Sequence, residues 1–245
     1  KMNENRSTGK QGFFNDHVIL SLHSCKSTDA KHRVQFYDSW AENYEKDASL
    51  MCYRAPHLAV DFLSSSFSGS RGAARVLDVA CGSGLVAKLM LELGFKHFVG
   101  VDGSQGMLDQ AAKTGIYEEL RLALLGAEPL PAKIGAFDVV IMVGALDPGF
   151  APVSVVRELC QAAKPGGLIC MSRGDHRGPA GREYKKDLEA ELQLMEEEDL
   201  WSPVGLKRTN RYMKDPHLKP EEIQQLQLEE CYLSGTAYLY KKHSR

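Results

Sequence analysis

Asp78, Gly82, Gly84 and Asp102 stand at spacings that suit a nucleotide ligand. Val76 to Val79 is an apolar run with Asp78 near its end. Gly82 and Gly84 follow at once, where the lack of a side chain lets a ligand touch the backbone. Phe98 to Val101 is a second apolar run, and Asp102 closes it. An acid in that position is placed to accept hydrogen bonds from ribose hydroxyls. Asp102 follows Asp78 by 24 positions (102 − 78), close to the spacing of a ribose-binding acid.

These residues need buried strands and short helices to hold them. Leu85, Val86, Leu89, Met90 and Leu93 recur at helical spacing, and Gly94 ends that helix. The pattern predicts strands near 75–79, 97–101, 120–125, 137–143 and 167–172, with helices near 84–93, 104–114 and 152–163. Strands apolar throughout indicate a sheet covered on both faces, hence parallel. Lys164-Pro165-Gly166-Gly167 reads as a sharp stop before the fifth strand. Upstream, Phe36, Tyr37, Trp40, Ala41, Tyr44 and Ala48 mark one helix face, and a second helix starts near Pro56. Downstream, 180–199 reads as a helix, 204–212 and 231–240 as late strands, and 220–226 as a short helix between them. The expected organisation is a mobile arm over 1–31 and one domain over 32–245. That domain comprises a helical lid (32–68), a nucleotide-binding core (75–172) and a substrate-side region (173–245).

Composition excludes several classes. The chain has 245 residues, 43% hydrophobic, with a net charge of −2, so a general nucleic-acid binder is disfavoured. No apolar run approaches the length of a membrane span, and residues 1–16 lack a signal-peptide pattern. The cysteines at 25, 52, 81, 160, 170 and 231 form no Cys-x-x-Cys pair and read as free thiols in a reducing compartment. No metal site is expected, and the acid run Glu196 to Asp199 reads as a solvated helix end. The expectation is a monomer, cytoplasmic or also nuclear.

Gly82-Ser83-Gly84-Leu85-Val86-Ala87 satisfies the loose G-x-G-x-x-A pattern, which fits a nicotinamide or flavin enzyme as well as a methyltransferase. The surrounding motifs separate them. Asp78 to Gly84 resembles the acid-x-Gly-x-Gly-x-Gly motif of class I S-adenosylmethionine methyltransferases. Gly103-Ser104 with Met107-Leu108 and Ala111 resembles their second motif. Gly126 to Pro131 followed by Phe137 to Val140 resembles their adenine loop and fourth strand, and Lys164 to Gly167 the turn before their fifth. Phe36 to Ala41 with Tyr44 and Asp47, then Tyr53 to Pro56, resembles the amino-terminal lid of one subgroup. Two positions depart from the pattern. Ala80 stands where the first motif glycine usually is, and Gly126 where many relatives carry an acid that binds the adenine amino group.

The resemblance implies an α/β, doubly wound, Rossmann-like sheet, mostly parallel with an antiparallel strand near the C-terminus. It implies S-adenosylmethionine as cofactor and S-adenosylhomocysteine as product. Backbone atoms at Ala80, Cys81 and Gly82 would meet the amino-acid end of the cofactor, and Asp78 would orient that loop. Asp102, beside Gly103, would accept from both ribose hydroxyls. Met107 and Val143 would wall the adenine, with Ala127 or Glu128 taking its amino group. Tyr37, Trp40 and Tyr44 would close over the sulfonium.

The implied function is methyl transfer to a small-molecule or protein acceptor, with no catalytic residue assigned. The acceptor would lie under the lid, Gly144–Phe150 and residues 173–212. Its candidate contacts are Asp175-His176-Arg177, Arg182, Trp201, Arg208 and Arg211. Asp147-Pro148-Gly149-Phe150 reads as a turn. Two alternatives stay open: a nicotinamide oxidoreductase, supported by G-x-G-x-x-A and Asp102 but with its one Tyr-x-x-x-Lys, Tyr238 to Lys242, in a strand-like tail, and a non-catalytic binding module.

Overall fold

The computed structural model describes residues 29–244. Most of the expected arm, 1–28, lies outside that range. The first helix, α1 (Ala30–Trp40), already begins inside the arm's expected end. The Asp29 side chain caps it by accepting from Lys31 N at 3.0 Å. The aromatic face predicted as one helix is broken. A 3-10 turn (Ala41–Asn43) separates α1 from α2 (Tyr44–Leu50). The Trp40 indole N–H bridges the break by donating to Asp47 Oδ2 at 2.6 Å. Helix α3 (Ala55–Ser66) carries Pro56 in its first turn, where a missing N–H costs nothing.

A seven-stranded sheet follows. Its elements are β1 (Arg75–Val79), α4 (Leu85–Glu92), β2 (His97–Asp102), α5 (Gln105–Lys113), β3 (Tyr117–Leu122), β4 (Phe137–Val143), α6 (Val155–Ala162), β5 (Ala163–Gly174), α7 (Pro179–Glu197), β6 (Trp201–Lys214), α8 (Pro220–Gln225) and β7 (Tyr232–Lys242). The strand order is β3-β2-β1-β4-β5-β7-β6. β1 to β5 pair in parallel, and β7 lies antiparallel between β5 and β6. This is the expected doubly wound sheet with its antiparallel C-terminal strand.

The apolar strands alternate between two cores. Val76, Val139, Ile141 and Cys170 face one side, with Ala59, Leu63 and Met90 of α3 and α4. Leu77, Val140, Met142 and Met171 face the other, with Leu159, Leu188 and Met195 of α6 and α7. Period-two alternation between two apolar layers is what a sheet covered on both faces requires.

Three boundaries differ from expectation. β3 lies three residues early, because it is an edge strand whose Glu118 and Glu119 are exposed and interrupt any apolar run. The Lys164–Gly167 stop is drawn into β5 as an irregularity in the pairing with β4, with Gly166 at φ +77°. β6 extends beyond 204–212 at both ends and accepts Pro203 because it is an edge strand.

Gly100 shows how tightly β2 and β3 close. A Cβ there would lie 2.7 Å from Leu120 Cδ2, 2.9 Å from Tyr117 Cε1 and 3.0 Å from Cys81 Sγ. Overpacking of this kind costs about 1–3 kcal/mol. Gly100→Ala is expected to lower the urea midpoint by that equivalent without changing the slope; an unchanged midpoint would show that β3 yields freely.

Candidate active site

A cavity of about 250 Å³ lies over the carboxyl ends of β1, β2, β4 and β5. Open α/β sheets place ligands in this crevice, where the connections diverge to opposite faces. The structure brings together nine of the residues singled out from sequence. Tyr37, Trp40 and Tyr44 line it from the helical lid, and Ala80 and Gly82 from the turn after β1. Asp102 and Gly103 line it from the end of β2, with Met107 of α5 and Val143 at the end of β4.

Asp102 is the most constrained of these groups. Its Oδ2 accepts from Gly82 N at 2.8 Å and its Oδ1 from Ser104 N at 2.9 Å. Burial raises its pKa, and the backbone donors at Ser104, Gly82 and Gly103 oppose that rise. The two short hydrogen bonds, from Gly82 N and Ser104 N, occupy one lone pair on each oxygen, and the carboxylate keeps acceptor capacity for a ligand hydroxyl. The glycine turn beside it leaves little room for a side chain. A Cβ on Gly82, at φ +56°, would come within 3.1 Å of Met107 Cε. Ala80 takes φ +54°, a left-handed conformation that a side chain makes costly. The alanine therefore occupies a glycine's backbone geometry and carries the strain.

Four expected contacts do not line the cavity. Asp78 is 1% exposed and lies beneath the turn, where its Oδ2 accepts from the Tyr117 hydroxyl at 2.6 Å. Burial pushes its carboxyl up to about 7, against the Tyr117 hydrogen bond and assisted by the Asp102 charge. Cys81 is buried, and burial holds its thiol well above the usual range. It fills the gap that Gly100 leaves. Ala127 and Glu128 are exposed. Glu128 Oε2 instead accepts from Leu124 N at 3.0 Å and fastens its own loop. Gly126 has a packing reason: at φ +84°, a Cβ would lie 2.3 Å from Pro152 Cγ, so no acid fits there.

The lid is tied to the core. Asp38 Oδ1 accepts from Ser104 Oγ at 2.6 Å and from Gly106 N at 2.9 Å, capping α5 from α1. Gly106 permits the approach, because a Cβ would meet Asp38 O at 2.9 Å. Tyr37 packs edge-on against Phe150 at 5.4 Å and near Tyr44 at 6.1 Å, so the aromatic roof reaches the segment after β4.

The far end of the cavity was only partly legible. Gly144, Ala145, Asp147, Gly149 and Phe150 line it as the sequence suggested, with Gly174, His176 and Tyr212. Among the other expected contacts, Trp201 is buried and stacks on Tyr240 at 4.1 Å, and Arg208 and Arg211 pair with Asp175 and Glu229. Asp175, Arg177 and Arg182 also lie off the cavity wall. Sequence reading quoted Tyr53 only as part of the lid resemblance and did not single out His217, Met51 or Met213. Gly144 carried the available signal: at φ +75°, a Cβ would lie 2.0 Å from the Tyr53 hydroxyl. Tyr212 sits in a slot between Gly174 and Gly235, with its hydroxyl 3.1 Å from Ser172 Oγ. Burial raises Tyr44 and Tyr53, pushes Tyr212 up to about 12, pushes Asp147 up to about 6 and drives His176 down to about 4. At neutral pH the tyrosines therefore donate and His176 is uncharged. Among the described residues no cluster of His, Cys, Asp or Glu could hold a metal.

A profile described as a methyltransferase domain matches residues 77–171, the span from β1 into β5. Together with the close relative below, this places the chain in the class I S-adenosylmethionine-dependent methyltransferase family. The chain is 44% identical over 173 residues to Methyltransferase-like protein 27 of Homo sapiens, covering 71% of this chain and 69% of that protein. It is 30% identical over 164 residues to a tRNA U34 carboxymethyltransferase of Cellvibrio japonicus, covering 62% of this chain but only 46% of that one. Among solved structures it resembles the putative methyltransferase in a complex with the Haloferax volcanii Trm112 methyltransferase activator. That match has a TM-score of 0.56 and 15% identity, covering 82% of this chain and 96% of that one. The oxidoreductase alternative finds no support. Lys242 Nζ donates to Ala163 O at 2.8 Å, and neither it nor Tyr238 lines the cavity.

Two outcomes follow from this geometry. Protonated Asp78 favours the folded chain, so its contribution is complete below the ordinary value of 3.8 and is lost as pH rises towards about 7. Asp78→Asn removes that loss. Its stability relative to the parent, from urea melts of the ligand-free protein, is expected to rise from pH 4 to 7 by up to about 1.4 kcal/mol per pH unit and then level off. A difference independent of pH would refute the buried-acid account. Ala80→Gly, which relieves the left-handed strain at some cost in unfolded-chain entropy, is expected to stabilise by roughly 0.5–1 kcal/mol. A lower melting temperature would count against that strain.

Proposed function

We propose that this chain transfers the methyl group of S-adenosylmethionine to a small-molecule or protein acceptor. The reading rests chiefly on the Asp102 carboxylate, fixed between two glycine turns at the edge of a roofed cavity. Its free lone pairs suit a ribose diol, and the Gly82 turn suits the amino-acid end of the cofactor. Met107, Leu124 and Val143 offer apolar walls to the adenine. When bound, the cofactor supplies a methyl group on a positively charged sulfur. The residues of this chain bind it, exclude water and align the acceptor. Alignment of this kind can lower a barrier by about 7–11 kcal/mol. The aromatic faces of Tyr37, Trp40 and Tyr44 suit a sulfonium.

The tRNA named for the bacterial relatives is not carried over to this chain. The match to one of them covers less than half of its length, and the net charge of −2 gives no general attraction to nucleic acid. No helix among the described residues is long and apolar enough to cross a membrane. Among the described residues, the free cysteines at 52, 81, 160 and 170 support a reducing compartment, cytoplasmic or nuclear. We read the chain as acting as a monomer.

Calorimetry with S-adenosylmethionine and S-adenosylhomocysteine tests the reading. Saturable binding is expected, and no heat at millimolar ligand would reject it. Asp102→Ala should weaken binding by about 1.5–3 kcal/mol, roughly ten- to hundredfold, because a charged acceptor is lost. Unchanged affinity would remove Asp102 from the site. If 32–53 is a lid, its amide exchange should slow when S-adenosylhomocysteine is added; identical exchange would make it an ordinary packed helix pair.

A further inference from the structure

The cavity has two ends, set by strand order. Asp102 marks the β2 end and the Gly82 turn follows β1. A cofactor held by both leaves the ends of β4 and β5 to the acceptor. Strands lie ~4.8 Å apart, so β5 is about 14 Å from β2, far enough for a second molecule. Asp147, on the turn after β4, lines this far end. Its carboxyl finds no hydrogen-bond partner among the described residues, although burial raises its pKa to about 6. A half-buried acid without a donor lacks a partner that a ligand could supply.

We propose that Asp147 accepts the proton of the methyl acceptor, and that this acceptor is a hydroxyl on a compact aromatic body. The proposal rests on the methyltransferase reading above and adds the acceptor's chemistry to it. Charge decides between a hydroxyl and an amine. Asp147 faces Arg33 of α1, Arg173 of β5, His217 beyond β6, Tyr184 of α7 and Tyr212 of β6. The same two arginines and His217 act on neighbouring His176, opposed by Asp215. An ammonium acceptor at Asp147 would therefore approach two guanidinium groups as well as the sulfonium, while the other carboxylates nearby, Asp175 at 3.9 Å from Arg173 and Asp215 beside His176, are directed to those cations. A neutral hydroxyl meets no such repulsion, and the cations stabilise the oxyanion character it gains. The remaining walls suit a flat apolar body. The Tyr53 and Tyr212 rings meet edge-on at 5.9 Å, beside Met51 and Met213.

The proton balance is simple. The acceptor's O–H bond breaks towards an Asp147 oxygen, and the acceptor oxygen forms its bond to the methyl carbon. The C–S bond breaks with its electron pair left on sulfur. A methyl ether, a neutral thioether and a protonated Asp147 result, and the last loses its proton to solvent.

The test uses phenol, anisole and benzylamine as probes, followed by ligand-observed NMR on the protein with and without S-adenosylhomocysteine. Anisole has the ring of phenol without its proton, and benzylamine carries the ammonium. Phenol is expected to bind at least tenfold more tightly than either, with the preference growing from pH 5 to pH 7 as the carboxyl ionises. Asp147→Asn should abolish both the preference and its pH dependence while S-adenosylhomocysteine binds as before, which shows that the variant is folded. Equal binding of phenol and anisole, tighter binding of benzylamine, a preference retained in Asp147→Asn, or no saturable phenol binding would each overturn the proposal. If S-adenosylhomocysteine fails to bind the parent, the cofactor reading falls, and the phenol–anisole contrast in the cofactor-free protein still decides on Asp147, with circular dichroism then reporting the folding of the variant.

Discussion

One carboxylate joins the parts of this cavity. Asp102 accepts from Gly82 N with one oxygen and from Ser104 N with the other, so the turns after β1 and β2 are fastened to the same group. Ser104 continues the chain of contacts. Its hydroxyl donates to Asp38 Oδ1, which also takes Gly106 N, and α1 is thereby fixed to the start of α5. The sequence Gly82–Asp102–Ser104–Asp38 thus runs from the floor of the cavity to its roof. Charge-assisted hydrogen bonds of this type are about twice as strong as neutral ones, and they are short and directional. That directionality sets where a ribose could sit relative to the aromatic lid.

The same region concentrates negative charge at some cost. Asp78 lies directly beneath, and burial together with the Asp102 charge raises its pKa. Two acids in one desolvated corner disfavour each other's ionisation. Tyr117 relieves part of this by donating to Asp78. The hydroxyl reaches that point only because β3 begins early enough to place Tyr117 opposite Phe98. A cationic ligand would relieve more. The corner is therefore suited to a cofactor with an ammonium and a sulfonium, and it disfavours the pyrophosphate of a dinucleotide, whose charge would add to that of the acids.

The fold was legible where burial is two-sided. The inner positions of β1, β2 and β4 are buried and mostly apolar, and their boundaries were readable to within a residue. β3 was misplaced because an edge strand exposes Glu118 and Glu119 and breaks the pattern. The cofactor end of the cavity was legible because glycines and acids there follow strand ends directly. The acceptor end was legible only in part, through Gly144–Phe150 and His176, because its other walls converge from distant segments. Tyr53, Asp147, His176 and Tyr212 come from α2–α3, the turn after β4, the end of β5 and β6. Only the left-handed Gly144 and the paired Gly174 and Gly235 record these contacts, and a glycine does not name the ring that fills its space. Ala80 is the converse case. Where the motif usually has its first glycine, the chain holds an alanine at φ +54°.

The acceptor end has its own ties to the core, and these bear on how an acceptor would be chosen. Tyr212 is clamped by Gly174 and Gly235, and Arg173 is buried beneath it. The Arg173 guanidinium donates to Leu146 O at 3.3 Å and to Gly181 O at 3.5 Å, so the turn after β4 and the start of α7 share one buried cation. Tyr184 adds a second tie by donating to Ala151 O at 2.7 Å. Breaking such a network would leave a guanidinium buried without partners, which is strongly unfavourable. The wall that carries Asp147 is thus fixed by the core, and the roof above it is held through Asp38, the Lys88–Glu45 ion pair at 2.6 Å and the backbone bonds from Lys214 N to Met51 O and from Arg54 N to Tyr212 O. A wall fixed in this way would favour selection of an acceptor by its shape and proton chemistry over adjustment of the site to the ligand.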